Sequence, residues 1–189
     1  MQSRERVAVF IDGSNFYHGM RATFGSVRSS VESDDLFKKL VSALAGNRML
    51  VFVRYYNAPL DRRYDRARYD RQQSFFSKLR RIPGFSVVLN TLRKSRRADG
   101  SIEFRIKGDD IHLATDLISN AYEDHYDTAV LVSGDGDFAP AVMQVQKLGK
   151  KVENAFFRVS HSSFLKRICD KSVNLDSLLS VYFTKEEDN

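Results

Sequence analysis

Residues 130–142 read VLVSGDGDFAPAV, and the order of residue types in this stretch decides the fold. Ala129 to Val132 is a short, aliphatic, β-branched run, the pattern of a strand buried on both faces. Ser133-Gly134-Asp135-Gly136-Asp137 supplies turn chemistry, and Phe138 to Leu148 has helical spacing. Two carboxylates therefore sit where a central strand gives way to a helix, and in an open parallel sheet that edge is where ligands bind. An N-cap role accounts for Asp137. It leaves Asp135 without a reason.

Outward from this stretch the pattern repeats. Arg6 to Ile11 (RVAVFI) reads as a buried strand ending at Asp12-Gly13-Ser14-Asn15, with a helix following to about Phe24. Asp34-Asp35 open a second helix, and Met49 to Tyr56 is strand-like. Leu60 to Ile82 reads as one long arginine-rich helix whose apolar side is Tyr64, Tyr69, Phe75, Phe76 and Leu79. After Pro83-Gly84, Phe85 to Leu92 alternates as a strand. Ile102 to Ile106 is expected to return from it as a hairpin through Arg97-Ala98-Asp99-Gly100. Asp109 to Tyr122 is helical, Lys151 to Phe156 a strand, and short helices are expected near Ser162 to Ile168 and Leu175 to Val181, with a frayed tail from Lys185. Strands alternating with helices make this an α/β fold with a mainly parallel central sheet. Without repeat or linker, residues 1–189 read as a single domain, with a helical C-terminal extension over 158–184.

Composition narrows the classes of function. With 42% hydrophobic and 29% charged residues this is an ordinary globular composition, and no apolar run approaches a membrane span. The first residues enter a strand pattern without the apolar core of a signal peptide. One cysteine, Cys169, excludes an internal disulfide and any multi-cysteine zinc site; it reads as a small packed hydrophobe. A cytoplasmic location is the expectation. Thirty Lys+Arg against 24 Asp+Glu give a net charge of +6 and favour a polyanionic partner. Arg62, Arg63, Arg66, Arg68 and Arg71 form one arginine cluster, and Arg93, Lys94, Arg96 and Arg97 form another at the start of the expected hairpin.

The carboxylates carry the chemistry. Asp12 and Asp135 both end parallel strands, so they converge on one edge of the sheet. In the helix Asp109–Tyr122, Leu113, Ala114, Leu117, Ile118 and Ala121 define the buried face at about 100° per residue. Asp110 falls near the centre of that arc, a costly place for a carboxylate without a compensating cation. Asp109 reads as an N-cap, and Asp116 as either a solvated residue or a further acid of the site. Clustered carboxylates repel one another and call for protons or divalent ions. Hard oxygen ligands without nearby His or Cys favour Mg²⁺ or Mn²⁺ over Zn²⁺. Such ions activate water for in-line attack on phosphate. Asn15, one turn beyond Asp12, can hold a carboxylate or the attacking water, and Ser133 can do the same for Asp135 or a phosphate oxygen. Tyr55, Tyr56 and Asn57 end the second strand, either at the pocket rim or as core aromatics and a turn residue; Ser14 also lies in the expected pocket.

Taken together, FIDGSNFYHG (10–19), KGDDIHLATD (107–116) and VSGDGDFAPAV (132–142) resemble the NYN domain of the PIN-like nuclease superfamily, in its LabA-like branch. The resemblance covers about residues 5–157. It implies a three-layer sandwich around a parallel sheet, and metal-dependent cleavage of RNA. It also implies that Asp12 and Asn15 are the first-strand Asp and Asn of the site, Asp110 the acid at the helix start and Asp135 the acid at the strand end. Asp137 and Asp116 match less definite acidic positions. Asp12, Asp110 and Asp135 are then metal ligands, Asp137 an outer ligand or base, and Lys107 a phosphate contact. A non-catalytic regulatory module that binds RNA or a protein partner is the alternative, and homo-oligomerisation stays open. A phosphatase of the haloacid dehalogenase type wants a second Asp two residues after the first, where this chain has Ser14. A dinucleotide site wants a G-x-G-x-x-G after the first strand, which is missing here.

Overall fold

The computed structural model describes residues 4–25, 33–96 and 102–183, and the backbone alone for 92–96, 102–107 and 109. In chain order the described elements are β1 (Arg6–Asp12), α1 (Gly13–Phe24), α2 (Asp34–Ala45), β2 (Met49–Asn57), α3 (Arg66–Arg80), β3 (Phe85–Leu89), β4 (Thr91–Arg96) and β5 (Ile102–Lys107). They continue with α4 (Asp109–Tyr122), β6 (Thr128–Val132), α5 (Ala139–Lys147), β7 (Lys151–Phe156), α6 (Ser163–Ile168), β8 (Lys171–Asn174) and α7 (Leu175–Phe183). Six strands form one sheet in the order β3-β2-β1-β6-β7-β8, parallel at every pairing. The expected α/β fold with helices on both faces of a parallel sheet is what the chain adopts.

The central place of β1 and β6 follows from their composition. Every residue from Val7 to Ile11 and from Ala129 to Leu131 is fully buried, which only strands covered on both faces allow. Odd-numbered residues of β1 (Val7, Val9, Ile11) join a core formed with Phe16 and Met20 of α1, Phe37 and Leu40 of α2, Phe75 and Phe76 of α3, and Leu175 and Leu179 of α7. Even-numbered residues (Ala8, Phe10) face Leu113 and Leu117 of α4, Val142 and Val145 of α5, and Leu165 of α6. The period of two in a strand divides one sequence run between two cores. Asp12 has the same parity as Phe10. It therefore belongs to the face that α4 and α5 cover.

Four expectations are corrected. Helix α3 begins at Arg66 instead of Leu60: Asp61 Oδ1 accepts from Arg63 N at 2.8 Å and Asp65 caps the helix by accepting from Arg68 N at 2.9 Å. These local side-chain bonds hold 61–64 as a turn, and Tyr64 is left exposed. Strand β3 stops at Leu89; β4 is a separate strand that pairs antiparallel with β5, outside the main sheet. The connecting turn at 97–101 and the tail beyond 183 lie outside the described residues. Strand β8 runs through the segment expected to be helical and extends the sheet beside β7, and Leu175 and Leu179 of α7 lie in the main core. Finally, a 3₁₀ turn at Gly136–Phe138 precedes α5, and α5 starts at Ala139 with Pro140 in its first turn.

One buried ion pair crosses between layers. Glu153 of β7 is buried, and Arg48, between α2 and β2, clamps it with two bonds of 2.8 and 3.0 Å. Cys169 is half-buried beside the second core, and its thiol is pushed up to about 12 by burial, with Asp170 adding to the effect. It packs as a small hydrophobe. No described helix is long and apolar enough to cross a membrane.

Candidate active site

The site is built where β1 and β6 end side by side. Register pairs Ile11 with Val132 and, on the other side of β1, Asp12 with Tyr56. Ser133 therefore emerges next to Asp12. Its hydroxyl donates to Asp12 Oδ2 at 2.9 Å and accepts from Asp135 N at 3.1 Å. One buried hydroxyl thus links the carboxylate of the first motif to the backbone of the third. Asp12 is 8% exposed; its other oxygen accepts from Asn15 N at 3.0 Å and caps α1.

Asp135 caps as well. Its Oδ1 accepts from Asp137 N at 2.9 Å, so the cap of the 3₁₀ turn is Asp135, and Asp137, exposed, supplies the amide. The capping role expected for Asp137 belongs to the residue two positions earlier, because the chain enters a 3₁₀ turn before α5. Asn15 has a structural task. Its Oδ1 accepts from Gly134 N at 3.0 Å and from Ser160 Oγ at 3.3 Å. It ties the start of α1 to the turn after β6 and to the segment Arg158–Ser160.

That segment explains the glycines of the motif. A Cβ on Gly134 would stand 1.9 Å from Ser160 O, and one on Gly136 would stand 2.8 Å from Ser162 Oγ. Both glycines have φ outside the left-handed region. They are required by the close approach of the 158–162 chain, not by the turn. No local signal in the sequence indicated Ser160 or Ser162 as neighbours of the site, because the contact spans 26 positions.

The remaining expected residues spread out. Asp110 lies on the face of α4 that carries Leu113, but one turn nearer the helix start, where it is exposed. The angle was right and the burial was not: the first turn lies beyond the layer that covers Leu113. Gly108 occupies the N-cap position expected for Asp109. Asp116 is half-buried and paired: it meets Arg54 at 2.8 Å and accepts from Tyr56 Oη at 2.7 Å. Burial pushes the Tyr56 phenol well above its usual range and the bond to Asp116 adds to this, so Tyr56 stays a neutral donor. Burial opposes the charge on Arg54, yet the pairing with Asp116 leaves its pKa raised. Tyr55 is buried in the core, and Asn57 makes a local turn, donating to Tyr55 Oη at 3.2 Å and accepting from Ala58 N at 2.8 Å. Ser14 is half-exposed in the first turn of α1. Lys107 ends β5 directly before α4, and Arg93, Lys94 and Arg96 lie on β4; Arg97 is outside the described residues. Among the described residues, no three His, Cys, Asp or Glu side chains gather into a group that could hold a metal ion.

Comparison with the curated proteins finds no match. A solved structure of a protein of unknown function from Vibrio parahaemolyticus RIMD 2210633 is similar at 26% identity, over 94% of this chain and 98% of that one, with a TM-score of 0.64. The NYN domain family model matches residues 6–176, a span that holds the three motifs and also β8. The chain belongs to the NYN domain family.

Proposed function

We propose that this protein is a metal-dependent ribonuclease of the LabA-like branch, hydrolysing RNA phosphodiester bonds at the edge of the sheet where β1 and β6 end. The observation that carries the reading is the bond through Ser133, which holds Asp12 and the backbone of Asp135 together at that edge. The donor set fits a hard divalent cation, Mg²⁺ or Mn²⁺: it consists of carboxylate oxygens, with no His or Cys among the residues placed there. Asp12 and Asp135 would hold the ion, with Asp110 approaching from α4 and Asp137 as an outer ligand or base. A bound ion of this kind supplies a polarised phosphate and an activated water. The chain supplies orientation. Ser133 and the Asn15 amide fix the rotamer of Asp12, and Tyr56 and Arg54 fix that of Asp116.

Charge supports RNA as the partner. The pairing register of the hairpin sets Arg93 opposite Arg105, and like charges facing across two strands cost stability unless an anion lies over them. The hairpin leaves the sheet from the same edge as Asp12, since Leu89 pairs with Asn57 and β4 begins two residues later. One observation favours the second reading, a non-catalytic module binding RNA: the absence, among the described residues, of a ready-made group of three acids.

The test is cleavage of mixed single-stranded and structured RNAs with Mn²⁺, Mg²⁺ or EDTA. Asp12→Asn and Asp135→Asn are each expected to lower metal-dependent cleavage by about a hundredfold or more, and Asp110→Asn likewise, as loss of a ligand from a shared site requires. Cleavage by Asp135→Asn at the wild-type rate would overturn the nuclease reading. Metal-independent binding without cleavage would select the second.

A further inference from the structure

The chain between β7 and α6 runs as a strap beside the candidate site, and it is fastened at three points. At its start the ring of Phe157, 1% exposed, lies 5.6 Å from that of Phe16 and fills the space left by Gly19 of α1, where a Cβ would stand 2.2 Å from the ring. Further on, Ser160 lies against the site. Its carbonyl fills the space where a Cβ on Gly134 would be, and its hydroxyl donates to Asn15 Oδ1, the oxygen that also accepts from Gly134 N. Between these two points the strap is tied to the C-terminal helix α7. Arg158 N donates to Asp176 Oδ2 at 2.9 Å, and Thr23 Oγ1, in the last turn of α1, donates to Asp176 Oδ1 at 3.3 Å.

An Asp in the first turn of a helix ordinarily serves its own helix, by capping an amide or by facing the positive end of the dipole. In α7 the cap is made by Asn174, whose Oδ1 accepts from Ser177 N at 3.1 Å. Both oxygens of Asp176 go to other elements instead, so one half-buried carboxylate joins α7, the end of α1 and the strap. A movement at Arg158 is passed on to Ser160, because Arg158–Ser160 is a single 3₁₀ turn closed by Ser160 N donating to Phe157 O at 3.1 Å. From Ser160 it reaches Asn15 and Gly134. Gly134 stands between Asp135 and Ser133, the residue that bonds Asp12.

We infer that Asp176 is a positioning residue of the candidate site. By holding Arg158 it keeps Ser160 against Gly134 and Asn15, and so fixes the turn that carries Asp135 relative to Asp12. The inference rests on the nuclease reading of that edge and deepens it, since it makes α7, which lies outside the three motifs, part of what sets their geometry.

Two measurements on the full chain test it. The first needs no activity: hydrogen exchange of the Gly134 amide, followed by NMR in EDTA and read relative to the amides of β6. Asp176→Leu removes both acceptors and should speed this exchange by about 3–10-fold, the worth of one hydrogen bond. Arg158→Pro breaks the same bond from the other side and should do the same. Proline suits the first position of a turn entered from an extended residue, and Phe157 has φ −89° and ψ 141°. Asp176→Asn keeps an oxygen for Arg158 N and a donor for Thr23 Oγ1, and Thr23→Val removes only the bond to α1; both should exchange as wild type. The second measurement is RNA cleavage in Mn²⁺, at a temperature where melts show each variant folded. Asp176→Leu should lower kcat by about tenfold or more, as a slight misplacement of reacting groups does, with KM within about twofold of wild type. Thr23→Val and Asp176→Asn should leave both constants unchanged. Gly134 exchange at the wild-type rate in Asp176→Leu and Arg158→Pro overturns the inference, and so does a kcat loss in Thr23→Val equal to that in Asp176→Leu. Faster Gly134 exchange in a protein that cleaves no RNA would refute the nuclease reading and leave the tie from α7 to the turn standing.

Discussion

Replacing Ser133 by alanine removes one hydroxyl and two hydrogen bonds from the middle of the site. Ser133 is 2% exposed, so water is poorly placed to substitute for its hydroxyl. The bond to Asp12 Oδ2 ends on a charged group and is worth about 1.5–3 kcal/mol; the bond from Asp135 N is worth about 0.5–1.5 kcal/mol. The Ser133 carbonyl keeps its bond from Asn154 Nδ2 at 2.7 Å, so the strand end stays anchored and the loss is confined to the side chain. The sum is about 3 kcal/mol, which for a chain of this size corresponds to about 6–12 °C in melting temperature. Urea unfolding should show a lower midpoint with an unchanged slope. A double-mutant cycle with Asp12→Asn should return a coupling of at least about 1 kcal/mol, since the two side chains touch. A loss below about 1 kcal/mol for Ser133→Ala would refute the reasoning, because it would mean that Asp12 does not depend on this donor. Under the proposed nuclease function, the same change should lower RNA cleavage, through misplacement of Asp12.

The buried pair of Arg48 and Glu153 gives a second prediction, for stability. Arg48→Met strands the Glu153 carboxylate, with Lys171 Nζ 3.9 Å away as its remaining cation, and should cost about 3 kcal/mol at pH 7. Adding Glu153→Gln to that variant removes the stranded charge and should restore most of the loss at pH 7 in thermal or urea melts. Asp127 gives a prediction with a definite sign in pH. Arg6 bonds it through Nε and Nη2 and holds its carboxyl at about 2, so its contribution is present above about pH 4 and vanishes as pH falls to 2. The side chain is 40% exposed, so screening limits the effect of Asp127→Asn to less than about 1 kcal/mol, seen in melts at pH 7 and absent at pH 2. Gly134→Ala must push the Arg158–Ser160 segment off the site and should cost about 1–3 kcal/mol by overpacking; an unchanged midpoint in urea would show that the segment yields freely.

Much of this protein is legible in its sequence because the relevant forces are local. The aliphatic runs Val7–Ile11 and Ala129–Val132 name themselves as central strands, since a run with no polar position can be satisfied only by cover on both faces. That β1 and β6 release Asp12 and Asp135 on one edge follows from parallel pairing alone. The bounds of α4 follow from helical spacing, and the strand expected over Lys151–Phe156 is β7. Where local bonds compete with period, the reading slips: Asp61 and Asp65 shorten α3, and Asp135 caps a 3₁₀ turn that no hydrophobic spacing announces.

What the tertiary structure alone decided is how the polar groups are partnered. Asp110 has the helical angle of a buried residue and is exposed, because burial depends on where the neighbouring layer stops. Asp116 faces Arg54 and Tyr56, some sixty positions away in sequence. Asn15 bonds Gly134 and Ser160, both more than a hundred positions away, and the glycines of the 132–142 motif make room for a chain 26 residues further on. Backbone period specifies which side of an element a residue occupies. It carries no information on what is folded against that side, and hydrogen bonds, ion pairs and close contacts between distant residues are set by that alone.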